Sequence, residues 1–456
     1  MSVDRQHEEI FPTRKVKQIA ARCYSGGTPA TGIPKYYSSG DEGIPWCLIA
    51  DVSKGRFTSS TRKRITSAGQ SSRRLEILPK GTLLYAMYAS VGAVSQLLVD
   101  ATVNQAIMGI AVDERVALPS FVFFALESQR QDVVATANSS TQANLNAQKV
   151  RNISIPLPDI ETQHAIVRYL DHAEMRIARA IQAKSDVAAL LREARSTLIN
   201  ELVLKGVAQG APVADSGLPG VGWIPSDWNL IRAKYIWTPR NVRSKSGDEE
   251  RLSVSSFSGV VPRSSKKVTM FEASSYVGHK VVEPGNLVIN SLWAWATGLG
   301  VSRYDGIVSP VYGVYELRPE AQSDLTYLDC LLRSTAMQWQ FRVQSKGIWK
   351  SRLQLSDDAF FRMVLPLPSL SEQKSIAQEI STRTSDLDKV LVATEREIDL
   401  LREYRIRLIA DVVTGKKDVR AEAASLPDLD PFELAQVLSG ASVIEEDVEE
   451  VGANGD

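Results

Sequence analysis

Two patterns of apolar and polar residues alternate along this chain, and each pattern occurs twice. In residues 1–155 and again in 227–365, short apolar runs are bounded by Gly, Pro, Ser and Thr, which predicts strands joined by turns. In residues 156–206 and 366–418, apolar residues recur every three or four positions, which predicts long amphipathic helices. We therefore predict an α+β protein with two strand-rich modules and two long helices.

The second half of the chain repeats the first at an offset of 210 residues. Pro156-Leu157-Pro158 corresponds to Pro366-Leu367-Pro368, and Gln163 corresponds to Gln373. Repeats of this length indicate that one structural unit is built twice, so we predict a pseudo-two-fold internal repeat.

The spacing within the first long segment is typical of a helix that packs lengthwise on a second helix. Apolar residues alternate at spacings of four and three, and Val187 is one of the positions predicted to face the partner. Asp159 is a predicted N-cap and Gly206 a predicted C-cap. The second segment begins with Ser369 and Glu372, the spacing of a capping box, and Tyr404 lies on its apolar face.

Composition shifts mark the remaining boundaries. Residues 207–226 are rich in Gly and Pro, which predicts a linker between the first helix and the second module. Residues 419–456 form an acidic tail, which we expect to be disordered apart from a short amphipathic piece at Pro431–Leu438.

The zero net charge conceals an uneven distribution. The chain holds 53 Lys and Arg against 53 Asp and Glu, but ten of the acids lie in residues 421–456, which carry no Lys or Arg. Residues 1–420 are therefore basic, with a formal charge of +10. A basic body is compatible with a polyanionic partner and equally with solvated surface charge.

Several classes of protein are disfavoured. The sequence has no apolar run of 18 residues, so it predicts no membrane span, and its charged N-terminus does not resemble a secretory signal. The three cysteines, Cys23, Cys47 and Cys330, are scattered, which predicts a reducing compartment such as the cytoplasm.

No catalytic or metal site is predicted. Glycine-rich nucleotide motifs are absent, and the four histidines show no ligand spacing. Asp159, Glu161 and Glu372 resemble nuclease carboxylates only weakly, and capping of the long helices explains them.

Basic residues are instead concentrated in the strand-rich modules. Between Val52 and Leu75 the sequence has no acid and many Ser and Thr, a composition suited to phosphates and base edges. A solvated loop is the alternative interpretation. The predicted DNA-binding residues of the first module are Lys54, Arg56, Arg62, Lys63, Arg64, Arg73 and Arg74; those of the second are Arg243, Lys245, Arg263, Lys266, Lys267, Lys350 and Arg352.

Two aromatic residues of the second module leave alternatives open. If Trp293 and Trp295 lie on a strand, they share one face, where they either pack in the core or stack on a base.

The doubled arrangement resembles the DNA-specificity subunit of type I restriction–modification enzymes. The resemblance rests on ISIPLPDIETQHAIVRYLD at 153–171 with LLREARSTLINELVLKG at 190–206, and on MVLPLPSLSEQKSIAQEI at 363–380 with LLREYRIRLIADVVTGK at 400–416. The sequence departs from the family pattern at Asp159-Ile160-Glu161-Thr162, ahead of Gln163, and in the acidic tail.

This resemblance implies that each module is a target recognition domain for one half of a bipartite, asymmetric site in double-stranded DNA. The long helices would form an antiparallel coiled coil that sets the spacing and docks two modification subunits. Restriction subunits would join that complex, and S-adenosylmethionine, ATP and Mg would be bound by the partner subunits. The helix positions expected to take part in docking are Gln163, Leu191, Leu198, Gln373, Leu401 and Leu408.

Two other functions remain open at this point. The chain could be a self-contained nuclease or methyltransferase whose site the motifs do not reveal. It could also be a coiled-coil adaptor that does not bind DNA.

Overall fold

The computed structural model describes residues 11–40, 42–138, 145–208, 210–256, 258–265, 275–347 and 353–440. The chain divides into two compact units. Among the described residues, unit 1 contains 11–185 and 395–440, and unit 2 contains Asp186–Thr394. Each long helix therefore contributes residues to both units.

The first module, which lies in unit 1, is mixed α+β. Its strands are β1 Thr13–Lys15, β2 Ala20–Ser25, β3 Tyr37–Ser38, β4 Ile44–Cys47, β5 Phe57–Thr58, β6 Lys63–Ile65, β7 Leu83–Ala86, β8 Val94–Leu97, β9 Thr102–Val103, β10 Ile107–Val112 and β11 Ser154–Pro156. Its helices are α1 Val16–Ile19, α2 Ile49–Val52, α3 Ser67–Arg73, α4 Pro119–Ser128, α5 Arg130–Asn138 and α6 Ala147–Arg151, with a 3-10 turn at Pro34–Tyr36.

Two sheets and one strand pair form the first module. The larger sheet has the order β2-β10-β7-β8-β5, and the smaller one has the order β3-β6-β4-β9. The first strand of the module, β1, pairs antiparallel with β11, the strand that ends at Pro156. This pairing closes the module where the chain enters the first long helix.

The first long helix, α7, spans Ile160–Lys205 and is 46 residues long. Asp159 caps it as predicted, because its Oδ1 accepts a hydrogen bond from the Thr162 amide at 2.8 Å. Gly206 ends it with a left-handed φ of +72°, which confirms the predicted C-cap. At 1.5 Å per residue the helix is about 69 Å long.

The second module, which lies in unit 2, repeats this plan. Its strands are β12 Val213–Asp215, β13 Trp223–Pro225, β14 Asn229–Arg232, β15 Trp237–Pro239, β16 Leu252–Ser255, β17 Gly259–Pro262, β18 Lys280–Val282, β19 Leu287–Ile289, β20 Leu299–Val301, β21 Gly306–Val308, β22 Gly313–Leu317 and β23 Val364–Leu367. Its helices are α8 Leu325–Leu332, α9 Thr335–Gln344 and α10 Asp357–Arg362, with 3-10 turns at Ala233–Tyr235, Arg263–Ser265, Ala294–Ala296 and Pro319–Ala321.

The two modules share their strand order. The sheet β15-β22-β19-β20 of unit 2 repeats the order of β2-β10-β7-β8 in unit 1. The pair β14 and β23 repeats the pair β1 and β11. Smaller strand pairs, β12 with β13, β16 with β17 and β18 with β21, complete the second module. The predicted internal repeat is therefore present at the level of strand topology.

The second long helix, α11, spans Leu370–Val413. Its start is capped by Ser369, whose Oγ accepts a hydrogen bond from the Glu372 amide at 3.3 Å. The Glu372 carboxylate accepts a bond from the Trp228 indole at 3.3 Å, so this side chain also ties the helix to the second module.

The predicted helix seams are correct in part. On α7, Ile166 and Ile177 are buried as expected, but Val187 is exposed and Ala188 is buried in its place. On α11, Tyr404 is exposed, and Arg405 turns toward Glu174 of α7. An α-helix has 3.6 residues per turn, so a contact stripe drifts relative to a regular seven-residue repeat, and one break in the apolar series moves the buried face by one position.

The long helices pack together antiparallel within each unit. In unit 1, Arg405 of α11 binds Glu174 of α7, and Glu397 binds Lys184. In unit 2, Arg195 of α7 binds Asp388 at 2.7 Å. Along these ion pairs, residue numbers on α11 fall as those on α7 rise. The pairs therefore confirm that the two helices are antiparallel.

The expected disorder of the acidic tail is wrong for its first part. After α11, α12 spans Arg420–Ala423. Residues 431–440 are helical, in agreement with the amphipathic piece predicted at Pro431–Leu438. Asp428 binds Arg168 at 2.8 Å, and Leu434 is buried. Apolar residues spaced through this acidic stretch give it a face that packs on unit 1. Residues 441–456 lie outside the described part of the chain.

Candidate nucleic-acid interface

The acid-free basic run of the first module forms β5, β6 and α3. Strand β6 lies between β3 and β4 in the smaller sheet, and Thr66 caps α3 through a bond from the Gly69 amide at 3.1 Å. Five of the predicted DNA-binding side chains are exposed on this surface: Lys54, Arg62, Lys63, Arg73 and Arg74. We call these five residues, together with the half-buried Arg64, the basic loop patch.

Several contacts fix the backbone and side chains of the basic loop patch. Buried Asp51 accepts a bond from the Arg62 amide at 3.2 Å. The Arg64 guanidinium donates to the Gly43 carbonyl at 2.9 Å, and Arg73 Nε donates to the Thr28 carbonyl at 3.0 Å. The loop therefore holds a set of exposed cations in a defined arrangement, which suits a regularly spaced polyanion.

Arg56 does not belong to this surface, and its prediction as a DNA contact is wrong. Its side chain is 2% exposed and binds Asp171 at 2.6 Å and Glu174 at 3.1 Å, both on α7. Its guanidinium also lies over the rings of Phe57 and Phe124. A cation already paired and buried in this way is unavailable to a phosphate.

The carboxylates around Arg56 form a buried ionic cluster that joins the module to both long helices. Glu174 also accepts a bond from Arg405 Nε at 2.9 Å. Burial raises the pKa of Asp171, and the charge and hydrogen bond of Arg56 oppose this shift. Burial likewise raises the pKa of Glu127 on α4, where Arg405 opposes the shift. The cluster fixes the module on the helices rather than reading a ligand.

In unit 2 the structure describes only three of the predicted DNA-binding residues, which are Arg243, Lys245 and Arg263. Arg243 and Lys245 are exposed, and Arg243 donates to the Gly278 carbonyl at 2.9 Å. Arg263 is half-buried and begins the 3-10 turn Arg263–Ser265. Lys280, which sequence analysis did not select, pairs with Arg243 through the backbone in an isolated antiparallel β-bridge. Burial lowers the pKa of Lys280, an effect that Asp357 opposes and Arg243 reinforces.

Four predicted DNA-binding residues lie outside the described residues: Lys266, Lys267, Lys350 and Arg352. The DNA-binding role of the remaining cations stays a prediction. The sequence analysis considered a strand at Trp293 and Trp295, but these residues do not lie on one. They flank Ala294 on the 3-10 turn Ala294–Ala296, half-buried, with their rings stacked 5.4 Å apart.

Gln163 and Gln373 are buried, so their expected role in docking a partner is wrong. The Gln163 Oε1 accepts a bond from the Leu118 amide at 2.8 Å, and its Nε2 donates to the Pro158 carbonyl. Gln373 repeats these contacts with the Asp324 amide at 2.8 Å and the Pro368 carbonyl. Leu118 and Asp324 are the N-cap residues of α4 and α8. Each glutamine thus anchors a long helix to its own module.

The four leucines predicted to dock partners are largely used in packing. Leu408 is buried in the core of unit 1, and Leu401 packs against the same core. Leu198 packs against the core of unit 2, and Leu191 is half-buried. Sequence analysis missed the apolar residues that the long helices do expose, because it placed the seam by periodicity alone: Val187, Leu190, Val390 and Val392 in unit 2, and Leu400, Tyr404 and Ile406 in unit 1.

In the part of the chain that the structure describes, no group of three or more His, Cys, Asp and Glu could hold a metal ion. Nor does any helix of those described ranges have the length and apolar character needed to cross a bilayer.

The family model and the known proteins that this chain resembles carry descriptions that agree with one another. A model described as the type I restriction modification DNA specificity domain matches residues 13–184. The type I restriction enzyme MjaIX specificity subunit of Methanocaldococcus jannaschii is 27% identical over 165 residues, which are 36% of this chain and 37% of that protein. The EcoR124I/EcoR124II specificity subunit of Escherichia coli is 24% identical over 156 residues, 33% of this chain and 38% of that protein. The chain thus aligns with little more than a third of each relative's length.

The fold is similar over a longer stretch. A chain from a solved structure, described as the structural basis underlying complex assembly and conformational transition of the type I R-M system, has a TM-score of 0.58 to this one. It is 14% identical and covers 89% of this chain and 98% of its own. At that identity the likeness concerns the fold, and it confirms the predicted α+β class with long helices.

Proposed function

We propose that this chain, which belongs to the type I restriction modification DNA specificity family, is the subunit that reads the DNA sequence for a type I restriction–modification complex. Each module reads one half of a bipartite, asymmetric site in double-stranded DNA. The chain itself carries no catalytic step, and methylation and cleavage belong to its partners.

The observation that carries this proposal is the repeated anchoring of two diverged modules. In each unit a strand pair, β1 with β11 or β14 with β23, closes the module at the start of a long helix. In each unit a buried glutamine, Gln163 or Gln373, joins that helix to the module. A shared scaffold with diverged surfaces is what a protein needs to read two different half-sites in a fixed relation.

The long helices set the spacing of the half-sites in this proposal. They also dock two modification subunits, through the exposed apolar residues of α7 and α11 rather than through the buried glutamines. Those subunits carry S-adenosylmethionine, and restriction subunits with ATP and Mg join the complex.

The DNA-binding part of the proposal is tested by salt dependence. We expect the purified chain to bind duplex DNA with an affinity that falls steeply with salt, since each phosphate contact contributes about 0.9 to the slope of log affinity against log salt. Changing Arg62, Lys63 and Arg64 together to Gln should reduce the steepness of that slope by up to about 2.7, which corresponds to three lost phosphate contacts.

A control with the same change in charge separates local contacts from net charge. Lys374, Arg383 and Lys389 are exposed on α11, and their replacement by Gln should leave the slope nearly unchanged. If both triple variants have the wild-type slope, the basic loop patch does not contact DNA. If wild-type binding shows no salt dependence, the chain is not a DNA reader.

A further inference from the structure

A hairpin loop connects equivalent strands in each of the two modules. In unit 1, residues 87–92 lie within the connection between β7 and β8, and the Ala86 amide donates to the Ala93 carbonyl at 2.9 Å. In unit 2, residues 291–297 lie within the connection between β19 and β20, and the Asn290 amide donates to the Gly298 carbonyl at 2.9 Å. We call residues 291–297 the tryptophan loop and residues 87–92 the matched loop.

A second backbone contact places the two loops at the same point of the fold. The Leu145 amide donates to the Met87 carbonyl at 3.0 Å, and the Leu355 amide donates to the Ser291 carbonyl at 2.9 Å. Leu145 and Leu355 are separated by the 210 residues of the internal repeat. The scaffold that holds both loops is therefore shared.

The residues within the loops are not shared. The matched loop reads Met-Tyr-Ala-Ser-Val-Gly and the tryptophan loop reads Ser-Leu-Trp-Ala-Trp-Ala-Thr. Each contains a residue other than Gly in the left-handed region, Ala89 with a φ of +56° and Thr297 with a φ of +60°. Residues other than Gly rarely adopt this backbone conformation, and it persists where the surroundings, and often a function, require it.

Contacts within the tryptophan loop hold its aromatic rings at the edge of the core. Ala294 is fully buried, whereas the flanking Trp293 and Trp295 are half-buried and stacked with an interplanar angle of 25°. The Trp295 indole donates to the Leu292 carbonyl at 3.0 Å, and a Cβ added at Gly298 would lie 2.9 Å from Trp293 Cβ. The indoles are thus a preformed aromatic surface.

Two basic residues are connected to the tryptophan loop through Tyr312. Asn290 Nδ2 donates to the Tyr312 hydroxyl at 3.0 Å, and Lys280 Nζ donates to the Tyr312 carbonyl at 2.6 Å. The backbone of Lys280 in turn pairs with that of the exposed Arg243 in an isolated β-bridge. Aromatic side chains and cations in one module are a combination that suits nucleic acid, because the cations attract phosphates and the rings contact bases.

We propose that these two loops are the base-reading elements of the modules: the stacked indoles of Trp293 and Trp295 contact bases in one DNA half-site, and Tyr88 of the matched loop contacts bases in the other. Tyr88 is the second residue of the matched loop and is 37% exposed. The inference rests on the proposed function, which it deepens by naming residues that determine specificity. Equal placement with unequal side chains explains how one scaffold reads two sequences.

The test uses the chain assembled with its modification subunits, first to map methylated adenines in host DNA. Changing Trp293 and Trp295 to Ala should relax base preference in one half of the methylated site and leave the other half unchanged. Tyr88→Ala should relax the opposite half. Affinity for a duplex with the mapped site should fall about 5- to 150-fold for each base pair that is no longer read.

Controls make the outcome decisive. Trp223→Ala removes an exposed tryptophan of the same unit and should change nothing. The double variant Trp293→Phe with Trp295→Phe retains two aromatic rings, so it should fold and keep part of the affinity for DNA. It provides the test if the alanine variant does not fold. The inference is overturned if the phenylalanine and Tyr88→Ala variants fold and keep wild-type preference and affinity in both halves, or if preference is lost equally in both.

The proposed function and this inference fail in different ways. If the wild-type complex methylates no bipartite sequence, the proposed function is wrong. If wild-type methylation is bipartite but insensitive to both loops, only the inference is wrong.

Discussion

Replacing Arg56 by Met tests whether the first module is fixed to the long helices by a buried ionic cluster. The side chains of Arg56, Asp171 and Glu174 are 2%, 13% and 1% exposed. Removing one partner of a buried ion pair costs about 3–5 kcal/mol, because the other charge stays buried without compensation. Glu174 retains its hydrogen bond from Arg405, so we expect the free energy of unfolding to fall by about 3 kcal/mol, the lower limit of that range.

A loss of about 3 kcal/mol corresponds to a fall in melting temperature of about 6–12 °C for a unit of this size. Differential scanning calorimetry of the purified chain measures it directly. Arg22→Met is the matched control, since Arg22 pairs with Glu76 on the surface and both are about half exposed. An exposed pair contributes below about 1 kcal/mol, so this variant should melt close to wild type.

A second variant isolates the charge effect from the loss of packing. Adding Asp171→Leu to Arg56→Met removes one unpaired carboxylate and should recover part of the melting temperature. The salt slope of DNA binding should remain that of wild type, because the guanidinium does not face the solvent. The reasoning is refuted if Arg56→Met melts no lower than Arg22→Met, or if it lowers the salt slope as a phosphate contact would.

Three further predictions concern the long helices. Gln163→Ala should raise amide hydrogen exchange at the start of α4, and Gln373→Ala at the start of α8, each by removing a buried acceptor at a cost of about 1–3 kcal/mol; exchange that changes in the wrong module would contradict this. Hydrogen bonds from the Thr162 amide and hydroxyl lower the pKa of Asp159, so its stabilisation is present above its ordinary value of 3.8 and is lost as pH falls below it; in urea unfolding, the advantage of wild type over Asp159→Asn should shrink in that range, and a constant difference would count against it. Leu190→Ser and Val392→Ser should leave unfolding unchanged but weaken copurification with the modification subunits, and unimpaired copurification would remove these residues from the docking surface.

The parts of the fold that follow from local sequence were predicted correctly. Both long helices and their caps at Asp159, Gly206 and Ser369 depend on residues near one another in the chain. Such features carry their own hydrogen-bond partners, so pattern and spacing are sufficient to find them. The internal repeat was found from similar residues at a fixed offset.

The errors arose where a residue depends on partners distant in sequence. Arg56 looked like a surface cation because its acidic partners lie on α7, more than a hundred residues away. Gln163 and Gln373 looked like docking residues because the amides that donate to them, those of Leu118 and Asp324, lie 45 and 49 residues away in the sequence. Repetition of an uncharged polar residue at a helix start was a signal that could have indicated an anchor.

The surface of the long helices shows a similar limit. A regular seam placed Val187 and Tyr404 inside, but the actual stripe drifts and leaves both exposed. Pattern predicted the amphipathic piece of the tail that contains the buried Leu434. It gave no basis for the ion pair of Asp428 with Arg168, since Asp428 is a single acid within an acidic segment.

The central claim is that the two modules read separate halves of one DNA site. It is tested most directly by mapping methylated adenines in a host that expresses this chain with its modification subunits, before and after residues 1–155 are exchanged for the corresponding module of a relative. We predict a bipartite, asymmetric motif in which the exchange alters one half and preserves the other half and the spacing. A contiguous motif, or an exchange that alters both halves, would contradict the account.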